Sequence, residues 1–572
     1  MENRLASVYR LKGNRDSCTR FPIRRHEAYV HQTENRLMEL AMTEPGITYD
    51  GIIIGGGHNG LVCAYYLAKA GLNIRICERR SIVGGAAVTE EFHPGYRNSL
   101  ASYTVSLLNP DVIKDMKLKH YGLKIVKRPI SNFIPLDGQN YIKLGGGIER
   151  TQAEFRKFSV EDANRLPEYY ERIEAVADVL RSLSTKTPPN PKKGLRAVLQ
   201  MAVQMWPVAR GGNQLHRDIY DLFTKSARSF LDGWFENDHI KAAFGFDSII
   251  GNFASPDTPG SAYVLLHSVF GEVDGEKGAW GHAIGGMGAI TQAMRKACEG
   301  VNVNISTDAA VAKVLVNDGA ATGVQLTNGE MINAKRIIAN VNPQMLYGQM
   351  FEEGDLEEEF VRKMDAYINS SGTFRMNVAL SELPDFIALP GTEVAEHHQS
   401  GIVIAPTLDY MDRAYTDAKV NGWSQNPIVE MLIPSTLDDS LAPEGKHVAS
   451  LFCQQFSPTL PDGSSWHNSR DAAAETIIDT VTKYAPNFRR SIVGQMMLSP
   501  LDLEEKLGLI GGDIMHGNMT LDQMWAARPL MNYGDYRGPL KGLYMCGSGS
   551  HPGGGVTGLP GRNAAREIIK DR

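Results

Sequence analysis

The chain runs to 572 residues, 42% of them hydrophobic and 22% charged, with a formal net charge of -6. That is length for two or three domain-sized units with cores of their own, in the composition of an ordinary globular protein. Nucleic acid is excluded as a partner because the basic residues form no groove-like tract, and no apolar run approaches the ~18 to 20 residues that a membrane span needs.

Residues 1–45 read as an N-terminal extension. Residues 1–41 carry eight Lys or Arg, Arg24 and Arg25 among them, against five acids, and no apolar h-region of a secretory signal is present. A mitochondrial transit peptide is one reading. The interrupting acids Glu27, Glu34 and Glu39 and the scarcity of Ser favour a plain extension, and Met42 offers an alternative start of translation. His26 and His31 stand five apart, off the i,i+4 spacing of a helical metal pair, and no metal site is expected in the chain.

Residues 50–78 spell strand, glycine turn, helix, strand. Residues 52–54 are an apolar run fit for a buried parallel strand. The turn carries Gly55-x-Gly57-x-x-Gly60, a helix is expected over 59–70 with Gly71 ending it, and residues 74–77 form a second strand closing on Glu78. Each part suits a dinucleotide. Gly55 permits the tight turn, Gly57 lets the backbone approach a pyrophosphate, and Gly60 lets helix and strand pack closely. The helix start, with His58 and Asn59, offers free N–H groups and the positive end of the dipole to the anion. Glu78 can accept hydrogen bonds from a ribose 2′-hydroxyl but would repel a 2′-phosphate, which disfavours NADP.

Past the acid come Arg79 and then Gly84-Gly85-Ala86. On these residues the chain resembles the FAD-binding superfamily of amine oxidases and phytoene desaturases, where such a glycine pair passes near the FAD pyrophosphate. The resemblance implies FAD rather than NAD. Flavin disulfide reductases are excluded on two counts: no cysteine pair follows Glu78 through Tyr96, and no second G-x-G-x-x-G unit lies between residues 100 and 500. Cys18, Cys63, Cys77, Cys298, Cys453 and Cys546 form no C-x-x-C pair, the pattern of free thiols in a reducing compartment.

Residues 124–146 read as a hairpin turning at Asp137-Gly138. Residues 149–184 are charged, helical in period and free of Gly, and a Pro/Lys loop follows over 184–194. Next comes an amphipathic helix with Leu195, Val198, Leu199, Ala202, Val203 and Trp206 on one face and Lys192, Lys193 and Arg196 at its start. Such a helix either lies on a membrane or packs on its own core, and packing is the preferred reading.

Gly285-Gly286 opens a further helix, followed by strands at 301–305, 311–316 and 324–326 with turns at Asp318-Gly319 and Asn328-Gly329. By the resemblance this is a second FAD-contact region, with Val311 near the adenine. Near the C-terminus a strand at 543–546 leads into a glycine-rich loop, residues 547–558, and a last helix. The resemblance places Gly547, Ser548, Gly555, Val556 and Thr557 beside the flavin, where a helix start and backbone N–H groups would stabilise the reduced, anionic ring. His551 in that loop is the first choice for a catalytic side chain, with Trp280 and His282 next; His516 and Trp525 are weaker, and Arg562 either orients the flavin or is a surface charge.

Residues 254–294 and 542–567 are similar to one branch, the phytoene-dehydrogenase-like flavoproteins called pyridine nucleotide-disulfide oxidoreductase domain-containing protein 2. The implied fold is α/β: a two-dinucleotide-binding (Rossmann-like) FAD domain with a discontinuous α+β substrate domain. The expected division assigns 46–135, 275–345 and 513–572 to the FAD domain and 136–274 and 346–512 to the substrate domain. The implied function is hydride transfer from a lipophilic or amine-like small molecule to FAD. A flavin-binding regulatory scaffold acting through protein partners is the alternative, and peripheral membrane contact is compatible with either. The resemblance implies the mitochondrial matrix for a eukaryotic chain and the cytoplasm for a bacterial one; oligomeric state is left open.

Overall fold

The computed structural model describes residues 49–572; the readings for the N-terminal extension, Cys18, His26 and His31 lie outside the described residues. Gly51–Ile54 is buried along its whole length, as expected of an apolar run with no polar alternation. It lies at the centre of a five-stranded parallel sheet in the order Asn304–Ser306, Ile74–Cys77, Gly51–Ile54, Ile337–Ala339, Leu543–Met545. Ile53 sits opposite Ile76 on one side and Ile338 on the other. Four distant stretches of chain therefore build one sheet, and the FAD-type domain is discontinuous in sequence.

The alternation of side chains sorts this sheet into two cores. Ile53, Ile76 and Ile338 face a layer of helices through Leu61, Ile290, Met294, Ala564 and Ile568. Ile52, Ile54, Ile337 and Ala339 face the antiparallel meander of Val311–Asn317, Ala320–Leu326 and Met331–Asn333. A strand buried on both faces needs both layers.

A seven-stranded mixed sheet forms the second body of the fold. Its order is Ile492–Leu498, Phe374–Leu380, His447–Phe456, Trp423–Leu432, Gly401–Ile404, Asn132–Pro135, Tyr141–Leu144. Helix Trp466–Tyr484 covers one face through Ala473, Ile477 and Val481. The other face, with Val403, Ile428 and Phe452, meets a helical cluster that includes Val160–Ser184.

Two expectations change. The hairpin spans only Asn132–Pro135 and Tyr141–Leu144, while Ile125–Lys127 pairs instead with Gly281–Ala283. Pro129 lies between the two strands, and a residue without an N–H breaks a ladder. The helix Leu195–Arg210 does form, but it does not pack its apolar face on the core: Leu195, Val198, Leu199, Val203 and Trp206 are exposed. Among the described residues the five cysteines are free and buried, and no helix is long and apolar enough to cross a membrane.

Candidate active site

A cavity of about 460 Å³ runs from the first glycine turn to the wall of the seven-stranded sheet. At the turn, Gly55 takes φ +95°, a conformation that favours glycine. Helix His58–Lys69 begins there with Gly57 as its cap, no capping side chain and no acid in its first turn. Its leading N–H groups lack side-chain partners, which leaves an anion site. Gly55, Gly57, His58 and Asn59 all line the cavity. Gly60 does not: a Cβ there would stand 2.4 Å from the Gly55 carbonyl oxygen, so it serves close helix–strand packing.

Glu78 is buried at the edge of the cavity. Its Oε2 accepts from Gly56 N at 2.7 Å and its Oε1 from Arg80 N at 2.9 Å, so the acid is held by the turn and each oxygen keeps a free lone pair. Gly85 and Ala86 line the same region, while Gly84 bridges to Gly57 behind it. Arg79 lines the rim and donates to Glu505 O at 3.2 Å. Val311 and Ala312, on the first strand of the meander, complete this end.

The second glycine pair is a correction. Gly285 and Gly286 do not reach the cavity. Helix Gly288–Glu299 is closed at its start, because Thr89 Oγ1 accepts from Gly288 N at 2.9 Å and Ser99 Oγ from Met287 N at 3.0 Å. A Cβ on Gly286 would meet Thr89 Oγ1 at 2.4 Å. The pair fits a hairpin against a helix, and only Met287 and Ile290 from this region line the cavity.

From the C-terminal loop, Ser548, Gly555 and Val556 line the cavity; Gly547 and Thr557 do not. Gly547 backs onto Asn340, and Thr557 Oγ1 accepts from Leu559 N at 3.1 Å to cap the last helix. His58 Nε2 donates to Gly555 O at 3.1 Å, and Asn59 Nδ2 to Ser548 Oγ at 3.2 Å, which fastens this loop to the first helix. Burial lowers the His58 pKa to about 4 and keeps the ring neutral. Arg562 pairs with Asp111 at 3.0 Å, a structural tie away from the cavity.

The catalytic histidines are corrected too. His551 is buried outside the cavity, with Nε2 donating to Leu183 O at 3.1 Å. Burial lowers its pKa to about 4. His282 Nε2 contacts Asp438 Oδ2 at 3.0 Å, and Gly285 N donates to the same oxygen at 2.7 Å. Burial pushes Asp438 up, but the bonds from His282, Ser440 and Gly285 outweigh it and hold the acid at about 2. Both rings are engaged by protein groups outside the cavity lining. Trp280 does line the cavity, as does His516, whereas Trp525 does not.

At the far end stands a group that the sequence reading passed over. Asp247 and His267 both line the cavity, with Nδ1 of the imidazole 3.8 Å from the carboxylate. His267 stacks at a tilt on Trp280, ring centroids 5.1 Å apart. Beside them Tyr103 donates a short hydrogen bond to Glu430, lies 5.4 Å from Phe452 in a stacked pair, and carries the Arg375 guanidinium 4.4 Å over its ring. Burial raises Asp247 against the effect of His267, and raises Glu430 against those of Arg128 and Tyr103. Phe246, Ile250 and Met515 supply the apolar wall. At 3.8 Å the carboxylate is too far to hydrogen-bond Nδ1 but close enough to stabilise a charged ring, and neither ring nitrogen has a hydrogen-bond partner among the described residues, so the imidazole is free to take a proton from a group in the cavity.

Four buried polar atoms in this lining have no partner among the described residues: Asn59 Oδ1, Arg80 Nη1, His267 Nδ1 and His516 Nδ1. Together with the open helix start and the glycine cradle they fit a large polar cofactor at one end and a polar substrate group at the other.

An NAD(P)-binding Rossmann-like domain family matches residues 53–116. Pyridine nucleotide-disulfide oxidoreductase domain-containing protein 2 of Rattus norvegicus is 39% identical over 91% of this chain and 94% of its own length. Phytoene desaturase (lycopene-forming) of Pantoea ananas is 22% identical over 89% of this chain and 96% of its own. The solved structure of cyclohexylamine oxidase from Brevibacterium oxydans superposes with a TM-score of 0.54 at 14% identity, covering 92% of this chain and 99% of that one. That last likeness is one of fold.

Proposed function

The chain belongs to the family of pyridine nucleotide-disulfide oxidoreductase domain-containing protein 2, and from that footing we propose that it is an FAD-dependent oxidoreductase acting on a small, largely apolar molecule with one hydroxyl or amine group. The observation that carries this reading is a single cavity joining the glycine turn at Gly55 and Gly57 to the buried Asp247–His267 pair. The helix start at His58 would hold the pyrophosphate, Glu78 a ribose, the strand at Val311 the adenine side, and Ser548, Gly555 and Val556 the flavin. Bound there, FAD supplies a two-electron acceptor for a hydride.

The chain's own residues do the rest. Phe246, Ile250, Phe452 and Met515 exclude water from the apolar part of the substrate. His267 takes the proton of the hydroxyl or amine at Nε2, and Asp247 steadies the ring and its new charge from the Nδ1 side. Glu430 and Tyr103 hold the polar group in place through their shared hydrogen bond. Purified protein is expected to be yellow, with absorbance near ~450 nm, and to bleach without oxygen on adding the right alcohol or amine. Colourless protein that FAD cannot reconstitute refutes the reading.

A further inference from the structure

The helix Leu195–Arg210 is inside out. Leu195, Leu199, Ala202 and Trp206 follow the i, i+4, i+7, i+11 stripe of one face, with Val198 and Val203 beside them, and at ~100° per residue that stripe is opposite Ala197 and Gln204. The apolar side is the free one: Leu195 is 75% exposed, Val203 74% and Trp206 60%. The protein-facing side is held by amides, with Gln200 and Gln204 Nε2 both donating to Thr187 O at 2.9 and 2.8 Å. A helix adapted to water turns the other way.

Charge adds an independent observation. No Asp or Glu occurs between Asp178 and Asp218, although the whole chain has a net charge of -6. The stretch instead holds seven Lys or Arg. Lys193 is tied to Asp535 and Arg181 to Glu174, but Lys186, Arg196, Arg210 and Arg217 have no acidic partner among the described residues. Arg210 lies over the exposed Trp206 ring at 5.9 Å.

We propose that this face docks on an anionic lipid surface, with the helix lying in the headgroup plane. An apolar stripe rimmed by unpaired cations, with a Trp at the boundary, matches a layer that is apolar beneath and negative above. The helix has 16 residues and amide anchors on its other side, so it lies on the surface and does not cross. A second copy is a poorer complement, because a two-fold contact would set two acid-free basic faces against each other. Residues 1–41, eight Lys or Arg against five acids, are a poor complement for the same reason. This docking does not depend on the redox chemistry.

The test is co-sedimentation of the full chain with vesicles of phosphatidylcholine, alone or with about one third phosphatidylserine. Binding is expected to the anionic vesicles only, and to weaken at high salt. A Leu199→Glu, Val203→Glu double variant is expected to lose binding by about tenfold or more, while its melting temperature and yellow colour stay those of the wild type. Should that variant misfold, Arg196→Glu with Arg210→Glu retains the apolar stripe and is expected to abolish the preference for the anionic vesicles. Full-length protein that stays in the supernatant at low salt overturns the proposal. So does a dimer dissociated by the same substitutions without vesicle binding, which would give the face to a second copy.

Discussion

Arg528 is 2% exposed and does not line the cavity, yet it fastens the loops around it. Its guanidinium donates from Nε and Nη2 to Ser548 O at 3.1 and 3.0 Å, from Nη1 to Gln523 O at 3.0 Å and Asn518 O at 3.5 Å, and from Nη2 to Met515 O. Ser548 and Met515 line the cavity. Arg528→Ala strips these four carbonyls of a cationic donor. At about 1–3 kcal/mol for each unsatisfied group, and with water entering the vacated space to satisfy some of them, the cost is about 5 kcal/mol. Unfolding 572 residues at ~2.1 cal/mol/K each gives an entropy of about 1.2 kcal/mol/K, so the melting temperature should fall by about 4 °C if the chain melts as one unit, and further if a part melts alone. Arg528→Lys offers three donors on a point charge and should lose about half as much. Thermal melts followed by circular dichroism and by flavin release check both. An Arg528→Ala protein that melts within ~1 °C of wild type and keeps its flavin would show that the fork does not hold these loops.

Gly57→Val should abolish flavin retention, since a side chain there meets Asn340 Nδ2 at 3.0 Å from its first carbon and projects toward the pyrophosphate position; a variant with stoichiometric flavin refutes that placement. His267→Ala should leave flavin content unchanged and slow reductive bleaching by about 100-fold or more, and Asp247→Asn should slow it less and shift its pH profile; bleaching at the wild-type rate in both would remove the pair from the chemistry. Acidification from about pH 7 to about pH 5 should destabilise the fold. Burial depresses His58, His551 and His516 to about 4 and His397 to about 3, and lowers His398 and His447 as well. Stability from a lowered histidine is present above its unfolded pKa of ~6.5 and is lost as pH falls through the folded value, at about 1.4 kcal/mol per pH unit for each net proton. Asp513, raised by burial to about 6, acts in the opposite sense together with Asp247 and Glu430, but the lowered histidines outnumber them. A melting temperature that holds or rises on going to pH ~5 would contradict the balance.

What the sequence revealed depends on how local the determining contacts are. The strand–turn–helix at Gly51–Lys69 was legible because its parts satisfy one another within some twenty residues, and four strands of the parallel sheet stand at or near the apolar runs at 52–54, 74–77, 301–305 and 543–546, whereas Ile337–Ala339, three residues long, was not read. Gly285-Gly286 opens a helix as the turn at Gly55 and Gly57 does, but hydroxyls from Thr89 and Ser99, almost 200 residues upstream, occupy its helix start. No pattern near Gly285 encodes that. The helix at Leu195 shows a similar limit: periodicity gives a stripe but not the direction it faces, which here is set by Gln200 and Gln204 reaching back to Thr187. Among lone histidines, position in a glycine loop favoured His551 and missed His267, because neither the carbonyl of Leu183, 368 residues from His551, nor the carboxylate of Asp247, 20 residues from His267, is marked in the sequence as that ring's neighbour, and the two neighbours are opposite in consequence. One signal for the missed group was present. Glu430 interrupts the apolar run Ile428 to Leu432, and Asp247, with Ser248 after it, interrupts the largely apolar stretch Phe244 to Ile250. Both acids are buried, and a buried acid without a paired cation is costly unless a ligand or a catalytic partner justifies it. Neither acid makes a salt bridge to Lys or Arg; each instead faces a titratable ring, His267 or Tyr103, in the wall of one cavity. That shared arrangement, from two unconnected stretches of chain, is the reason for proposing the chemistry at the sheet end of the cavity rather than in the C-terminal glycine loop.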